Sequence, residues 1–327
     1  MTVLEARRGD GDKACGEGLM PSAVQLLRSV DVHPAGHAFR GIRYLDANGR
    51  RQARADLGVE PGLGVRRTEL LRALRAAAAR EGAAVRAAKV VDVEPRESAP
   101  SVTTEDGEVI SADVVLGCDG IGSSVRTCLG LDASVTSRDP RHHEQSKRYG
   151  LVAHYRIAPW SPDVEVYWAA GAEAYVTPLA NDLVGVAMLG GVGASFDARL
   201  GEFAALQARL GSAERVGRIT GAGPLRRRSV SAGLGSVMLV GDAAGYVDAL
   251  TGEGLSVGFS SAEAAVMAAT TGDVRDYPKV WRRVTRQGRL STELLLRGTR
   301  VPLLRTSMLT TTGAAPRTFG AIVRWVA

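Results

Sequence analysis

Apolar positions fall into short alternating runs along most of the chain, interrupted by a few stretches of helical period. Residues 39–56 alternate around Asn48-Gly49, the strongest two-residue turn signal in the sequence, and predict a hairpin. Leu70, Leu71, Leu74, Ala77 and Ala78 recur at helical spacing and predict a helix over 67–81, with Thr68 near its start and Gly82 after it. A shorter helix is predicted over 22–30. Residues 85–94, 101–105 and 109–116 read as strands, and Val114-Val115-Leu116 is the continuous apolar run of a strand covered on both faces. Strands follow at 149–157, 163–169, 174–178 and 183–189, then a helix at 197–210, a buried strand at 237–240, and helices at 255–269 and 276–298. The chain opens in mid-strand at Thr2-Val3-Leu4-Glu5, and its tail from Thr299 is apolar and basic with no clear period.

This order predicts an α/β protein in which pieces of a nucleotide-binding domain are separated by a sheet-rich insertion. The expected division is 1–145 for the cofactor domain, including the 39–56 hairpin, 146–225 for a substrate domain, 226–275 for a return to the cofactor domain, and 276–327 for a helical C-terminal segment. No internal repeat is visible.

Composition narrows the classes. A chain of 327 residues, 45% hydrophobic and 23% charged, buries a sizeable core without staples. The net charge of +6 is scattered, with Arg226-Arg227-Arg228 as the longest basic run and no aromatic platform beside it. That argues against nucleic acid and leaves a mild field favouring anionic cofactors or substrates. Three cysteines, none in a CxxC pair, indicate neither a disulfide framework nor a zinc site, and a reducing cytoplasm is expected.

Two segments carry chemistry. Cys118-Asp119-Gly120-Ile121-Gly122-Ser123-Ser124-Val125-Arg126 directly follows one apolar strand. Leu239-Val240-Gly241-Asp242-Ala243-Ala244-Gly245 follows another and leads through Thr251-Gly252-Glu253-Gly254-Leu255 into a helix. A ligand of an open α/β sheet binds at such carboxyl ends of strands, and a helix N-terminus there favours negative charge. The pair resembles the DG and GD motifs of p-hydroxybenzoate-hydroxylase-like FAD-dependent oxidoreductases, with D-G-x-x-S-x-V-R met at Asp119, Gly120, Ser123, Val125 and Arg126. The resemblance implies a Rossmann-like FAD domain. It implies a ribitol contact from Asp242, close backbone approach at Gly241, Ala243, Gly252, Glu253 and Gly254, and amides near Leu255 facing the flavin. It also implies an adenosine-ribose contact from Glu5, for which an ordinary strand-end acid is the other reading. Arg67 resembles an arginine that reaches FAD, or stands as an exposed helix arginine.

The segment Lys13-Ala14-Cys15-Gly16-Glu17-Gly18-Leu19-Met20 is similar to that of geranylgeranyl-reductase-like flavoproteins, as is Leu250-Thr251-Gly252-Glu253-Gly254. Cys15 and Gly16 then lie near the flavin, although a small buried thiol is an equal reading of Cys15. Two departures stand out. No G-x-G-x-x-G turn is present, so the first strand and helix of the family, about 30 residues, are expected to be missing and FAD retention weak if Met1 is the start. Hydroxylases of the family carry histidine after Gly-Asp-Ala-Ala and a proline soon after, where this chain has Gly245 and then Asp248 and Ala249.

The resemblance implies, first, an NAD(P)H-dependent monooxygenase hydroxylating a small aromatic or lipophilic metabolite. The alternatives are a reductase or dehydrogenase acting on a C=C bond and a truncated, non-catalytic remnant. The flavin carries the chemistry, so no catalytic side chain is named. Tyr155, Tyr167, Trp168 and Tyr175 line the substrate pocket or pack the core. His142 and His143 are expected in solvent, and the tail touches a membrane or lipophilic substrate or packs as a C-terminal segment.

Overall fold

The computed structural model describes residues 1–7, 9, 11–133 and 147–299. His142, His143 and the tail beyond Thr299 lie outside the described residues.

Period-two alternation is answered by one seven-stranded sheet. Its strands run, edge to edge, Glu214–Ala222, Tyr149–Arg156, Leu183–Gly190, Ala172–Ala180, Val164–Trp168, Gly41–Asp46 and Gln52–Asp56. Neighbours are antiparallel except Val164–Trp168 beside Gly41–Asp46. Alternate residues go to opposite layers. On one face Ala153, Tyr155, Tyr167, Ala174, Val176, Val184, Val186 and Met188 pack under the short helices Phe196–Leu200 and Ala204–Leu210. On the other, Ile42, Tyr44, Val164, Val166, Trp168 and Tyr175 meet Met20 and Phe39.

The 39–56 hairpin forms as expected, with its turn at Asn48-Gly49, but it corrects the 1–145 assignment: it is the last pair of strands in this sheet. A two-stranded ribbon has nothing of its own to bury against, and docking on Val164–Trp168 takes Ala53 and Ala55 almost fully out of water. The edge strand Glu214–Ala222 went unread in the sequence because it is largely exposed and lacks an apolar side to reveal it.

The nucleotide-domain pieces are two parallel pairs, Thr2–Glu5 with Ala84–Ala87 and Val115–Gly117 with Val237–Leu239. Val237–Leu239 is buried throughout, whereas Val115 and Leu116 are only partly covered, so the expected double-faced burial holds for the second strand of that pair alone. The expected strand 85–94 divides into Ala84–Ala87 and Val90–Glu94, which join different sheets. The break follows Ala88, whose N–H closes the parallel ladder on the Glu5 carbonyl.

Helices form at Pro21–Ser29, Arg67–Arg80 and Gly254–Thr271, the last ending at Gly272 in the left-handed conformation. The helix expected over 276–298 is two, Tyr277–Val284 and Arg286–Thr299. Buried Thr285 between them turns its hydroxyl back onto the Trp281 carbonyl at 2.8 Å. Likewise 197–210 divides where Phe203 is driven fully into the core. Among the described residues no helix is long and apolar enough to cross a membrane, and no side-chain group is arranged to hold a metal ion.

Candidate functional site

The two glycine–aspartate turns leave neighbouring parallel strands from the same end, with the Val240 N–H donating to the Gly117 carbonyl at 2.9 Å. Gly120 has φ +80° and Gly241 φ +59°, backbone that a side chain would strain. The turns are tied together from behind by Arg126, whose side chain is almost wholly buried. It donates from Nη1 to the Ala243 carbonyl at 2.8 Å, from Nη2 to the Ile121 carbonyl at 3.1 Å and from Nε to Asp132 at 2.6 Å. That corrects the expectation for Arg126 and for the Ala243 carbonyl: they hold each other rather than facing a ligand. Asp119 is also spent locally, accepting from the Val125 N–H and the Ser124 hydroxyl at 3.1 Å to cap the Ser124–Cys128 helix.

What faces outward is a ring of charge. Lys13 Nζ stands 3.4 Å from the place a Gly120 Cβ would take. Burial raises the Asp242 carboxyl above its usual range, against the pull of Lys13 and Arg67. Burial lowers the Lys13 ammonium, with Arg7 and Arg67 pushing the same way and Asp242 opposing. Burial also raises the Cys15 thiol, which accepts the Glu17 N–H at 3.4 Å. Beside Lys13 opens a cavity of about 730 Å³ bounded by Arg7, Asp12, Arg218 and Thr220. Glu5 ends its strand partly exposed, its carboxylate taking the Arg7 N–H at 2.9 Å.

Glu17 was not singled out in the sequence, yet it organises this loop. Its backbone is left-handed, φ +57°, and its side chain is buried. One carboxylate oxygen accepts from the Arg67 N–H at 2.8 Å at the head of the Arg67–Arg80 helix, and the other lies 2.7 Å from His154 Nε2 in the sheet. Arg67 Nε then reaches the Gly11 carbonyl at 3.4 Å. The signal for Glu17 was an acid flanked by glycines; His154 offered only a polar residue in an apolar strand.

The sheet face carrying His154, Tyr175, Thr177 and Trp168 floors the site. The Thr177 hydroxyl donates to the Gly16 carbonyl at 2.9 Å, and the Tyr175 hydroxyl to the Leu250 carbonyl at 3.3 Å. Trp168 packs with Tyr44, ring centroids 5.1 Å apart. Of the two readings open for Tyr155 and Tyr167, core packing holds: they sit on the opposite face, where Tyr167 donates to Glu165 and Tyr155 lies beneath Phe196. Strand alternation makes this unavoidable, since Tyr167 and Trp168 are consecutive.

The Glu253 side chain points away from the turns. Its carboxyl turns toward the Arg286–Thr299 helix, accepting from the Ser291 hydroxyl at 3.3 Å. Burial there pushes it up to about 7, against hydrogen bonds from Ser291 and Thr251. Gly252 has φ +73° with open space around it. The Gly254–Thr271 helix has no side chain capping its first amides, and Leu255 packs with the Leu19 cluster. Uncapped amides, open glycines at 122 and 252 and a carboxylate between two cations form a donor set that fits a long, anionic dinucleotide carrying ribose or ribitol hydroxyls.

Known proteins agree with that chemistry. A family profile described as FAD binding domain matches residues 1–159. A menaquinone reductase of Mycolicibacterium smegmatis is 30% identical over 320 residues, covering 86% of this chain and 73% of its own. A digeranylgeranylglycerophospholipid reductase of Methanosarcina acetivorans is 28% identical over 309 residues, covering 86% and 74%. Among solved structures, a flavoprotein/dehydrogenase from Cytophaga hutchinsonii superposes with a TM-score of 0.79 at 16% identity, over 99% of this chain and 86% of that one.

Proposed function

The chain belongs to the p-hydroxybenzoate-hydroxylase-like FAD-dependent oxidoreductases, and on that premise we propose that it is a reductase saturating a carbon–carbon double bond in a lipophilic, isoprenoid-type substrate. One observation carries the choice. The two segments similar to the reductase branch, 13–20 and 250–254, are pinned by Thr177 and Tyr175, two residues apart on one strand. They therefore border a single sheet face that presents Trp168, Tyr44 and Val166 beside the buried polar groups His154 and Glu173. The relatives named above support the same choice over the monooxygenase that the motifs put first.

In this reading Asp242 holds a ribitol hydroxyl, Glu5 the adenosine ribose, and the backbone at Gly120 and Gly241 the middle of the cofactor. Amides of Gly254 and Leu255 face its pyrimidine edge, where the helix N-terminus stabilises negative charge. Bound FAD supplies the hydride chemistry. Lys13 and Arg67 offset part of the burial that raises Asp242, and the sheet floor keeps water from the reacting carbons. NAD(P)H is the electron source, and the protein works in the cytoplasm, meeting its lipophilic substrate at a membrane surface.

The DG match at 119–126 favours a second reading, the NAD(P)H- and O2-dependent monooxygenase. Product mass separates them. The protein loaded with FAD and incubated with a polyprenylated lipid that carries no quinone, and NAD(P)H without oxygen, should yield a product heavier by two hydrogens. A product heavier by one oxygen atom, with turnover that stops when O2 is removed, overturns the reductase reading.

A further inference from the structure

Where hydroxylases of the family carry proline, Asp248 is buried at the seam between the Gly241 turn and the seven-stranded sheet. Its neighbours are Arg148, at the entry to the Tyr149–Arg156 strand, and Glu173, on the same sheet face as Tyr175. Glu173 takes both terminal nitrogens of Arg148. Asp248 receives much less. Its Oδ2 lies 3.0 Å from Arg148 Nε, but that N–H is not aimed at it; Oδ1 makes no hydrogen bond, and the amides of Leu250 and Ala249 are the other donors near the carboxyl. Among the described residues, the other titratable groups near the cluster are Tyr175 and Tyr246, phenols kept neutral by burial, and the Arg199 guanidinium, which Arg148 repels.

Two buried carboxylates thus share one cation. An uncompensated charge in such a place is relieved by taking a proton, and the proton goes to the carboxylate with the poorer partners. We propose that Asp248 is a proton-holding residue of this site, neutral at physiological pH and becoming a carboxylate beside Arg148 only when it gives its proton up. Burial and Glu173 raise the Asp248 carboxyl, while Arg148 and the amides of Leu250 and Ala249 oppose them. The use of the proton rests on the reductase reading. Saturating a double bond consumes a hydride, which the reduced cofactor donates to one carbon, and a proton, which the π pair takes at the other. Loss of the Asp248 O–H proton supplies the second, Arg148 stabilises the carboxylate left behind, and solvent returns the proton.

The test compares the full chain with Asp248→Asn, a neutral isostere. Infrared spectra of the wild type in H2O and D2O should show the carbonyl stretch of a protonated carboxylic acid at pH 7, absent from the variant. Melting temperatures should match below about pH 4, and the variant should melt progressively higher as pH rises from there through neutrality. A folded-state value raised above the unfolded one stabilises fully below the unfolded value and is lost as pH rises toward the folded one. A variant that melts lower throughout the neutral range, lacks no infrared band or does not fold would overturn the proposal, since each would mean an ionised partner of Arg148. Both measurements need no substrate, so they stand apart from the reductase reading. If substrate is reduced, the variant should also lose the alkaline fall in rate; an unchanged pH–rate profile contradicts the role.

Discussion

Replacing Arg126 with methionine keeps the aliphatic stem and removes three donors at once. The Ile121 and Ala243 carbonyls lose their partner, while Asp132 loses Arg126 but keeps the Thr127 hydroxyl. The side chain of Arg126 is only 3% exposed while that of Asp132 is 46% exposed, so the two halves of the ion pair differ in worth. Asp132 can turn to water and its pairing contributes under about 1 kcal/mol. The two carbonyls at the backs of the turns have no such recourse; at about 1–3 kcal/mol for each buried acceptor left unpaired, and more where the lost donor is charged, the loss is about 3–5 kcal/mol. At about 2.1 cal/mol/K per residue, that corresponds to a fall of about 4–7 °C in Tm for this chain. Thermal unfolding followed by circular dichroism should give that fall for Arg126→Met and less than about 2 °C for Asp132→Asn. Equal losses from the two variants would refute the reasoning, because they would locate the energy in the ion pair and not in the bridge between turns.

Asp242→Ala should fold as the wild type does and bind FAD on the order of ten- to a hundredfold more weakly, read by fluorescence titration. Glu17→Ala leaves His154 and the Arg67 N–H without their shared acceptor and should cost about 2–5 kcal/mol in urea unfolding; a neutral result would refute the organising role of this carboxylate. Glu253→Gln should leave stability unchanged below about pH 4.5 and raise it progressively to about pH 7. The carboxyl is held near 7 in the fold and ionises lower in the unfolded chain, so the full gain, on the order of 3 kcal/mol, appears above pH 7. Identical pH–stability curves for the two proteins would exclude a buried, uncompensated Glu253.

The turns were legible because their chemistry is local. A glycine-rich turn and an aspartate after a buried strand announce themselves within nine residues; that the two strands pair in parallel, Val115–Gly117 with Val237–Leu239, came only from the structure. The helices at Arg67–Arg80 and Gly254–Thr271 were legible from period. What stayed hidden depends on residues distant in sequence. Glu17 and His154 are 137 positions apart, Arg126 and Ala243 are 117 apart, and neither pair leaves a periodic trace. Glu253 sits in a motif that suggests a cofactor contact, but its direction is set by Ser291 and Gly288 on a helix the motif does not mention. The placing of Trp168 against Tyr167 needed only strand parity once the covered face was known, and the sequence does not say which face the helices cover.

Everything rests on a dinucleotide lying across the Gly120 and Gly241 turns with Asp242 beneath it. Titrating the purified chain with FAD, while following quenching of flavin fluorescence, tests this most directly. Saturation at one FAD per chain, markedly weakened in Asp242→Ala and unaffected in a variant of exposed Val59, is the predicted result. No saturable binding, or binding that Asp242→Ala leaves intact, would contradict it and favour a remnant that has lost its cofactor.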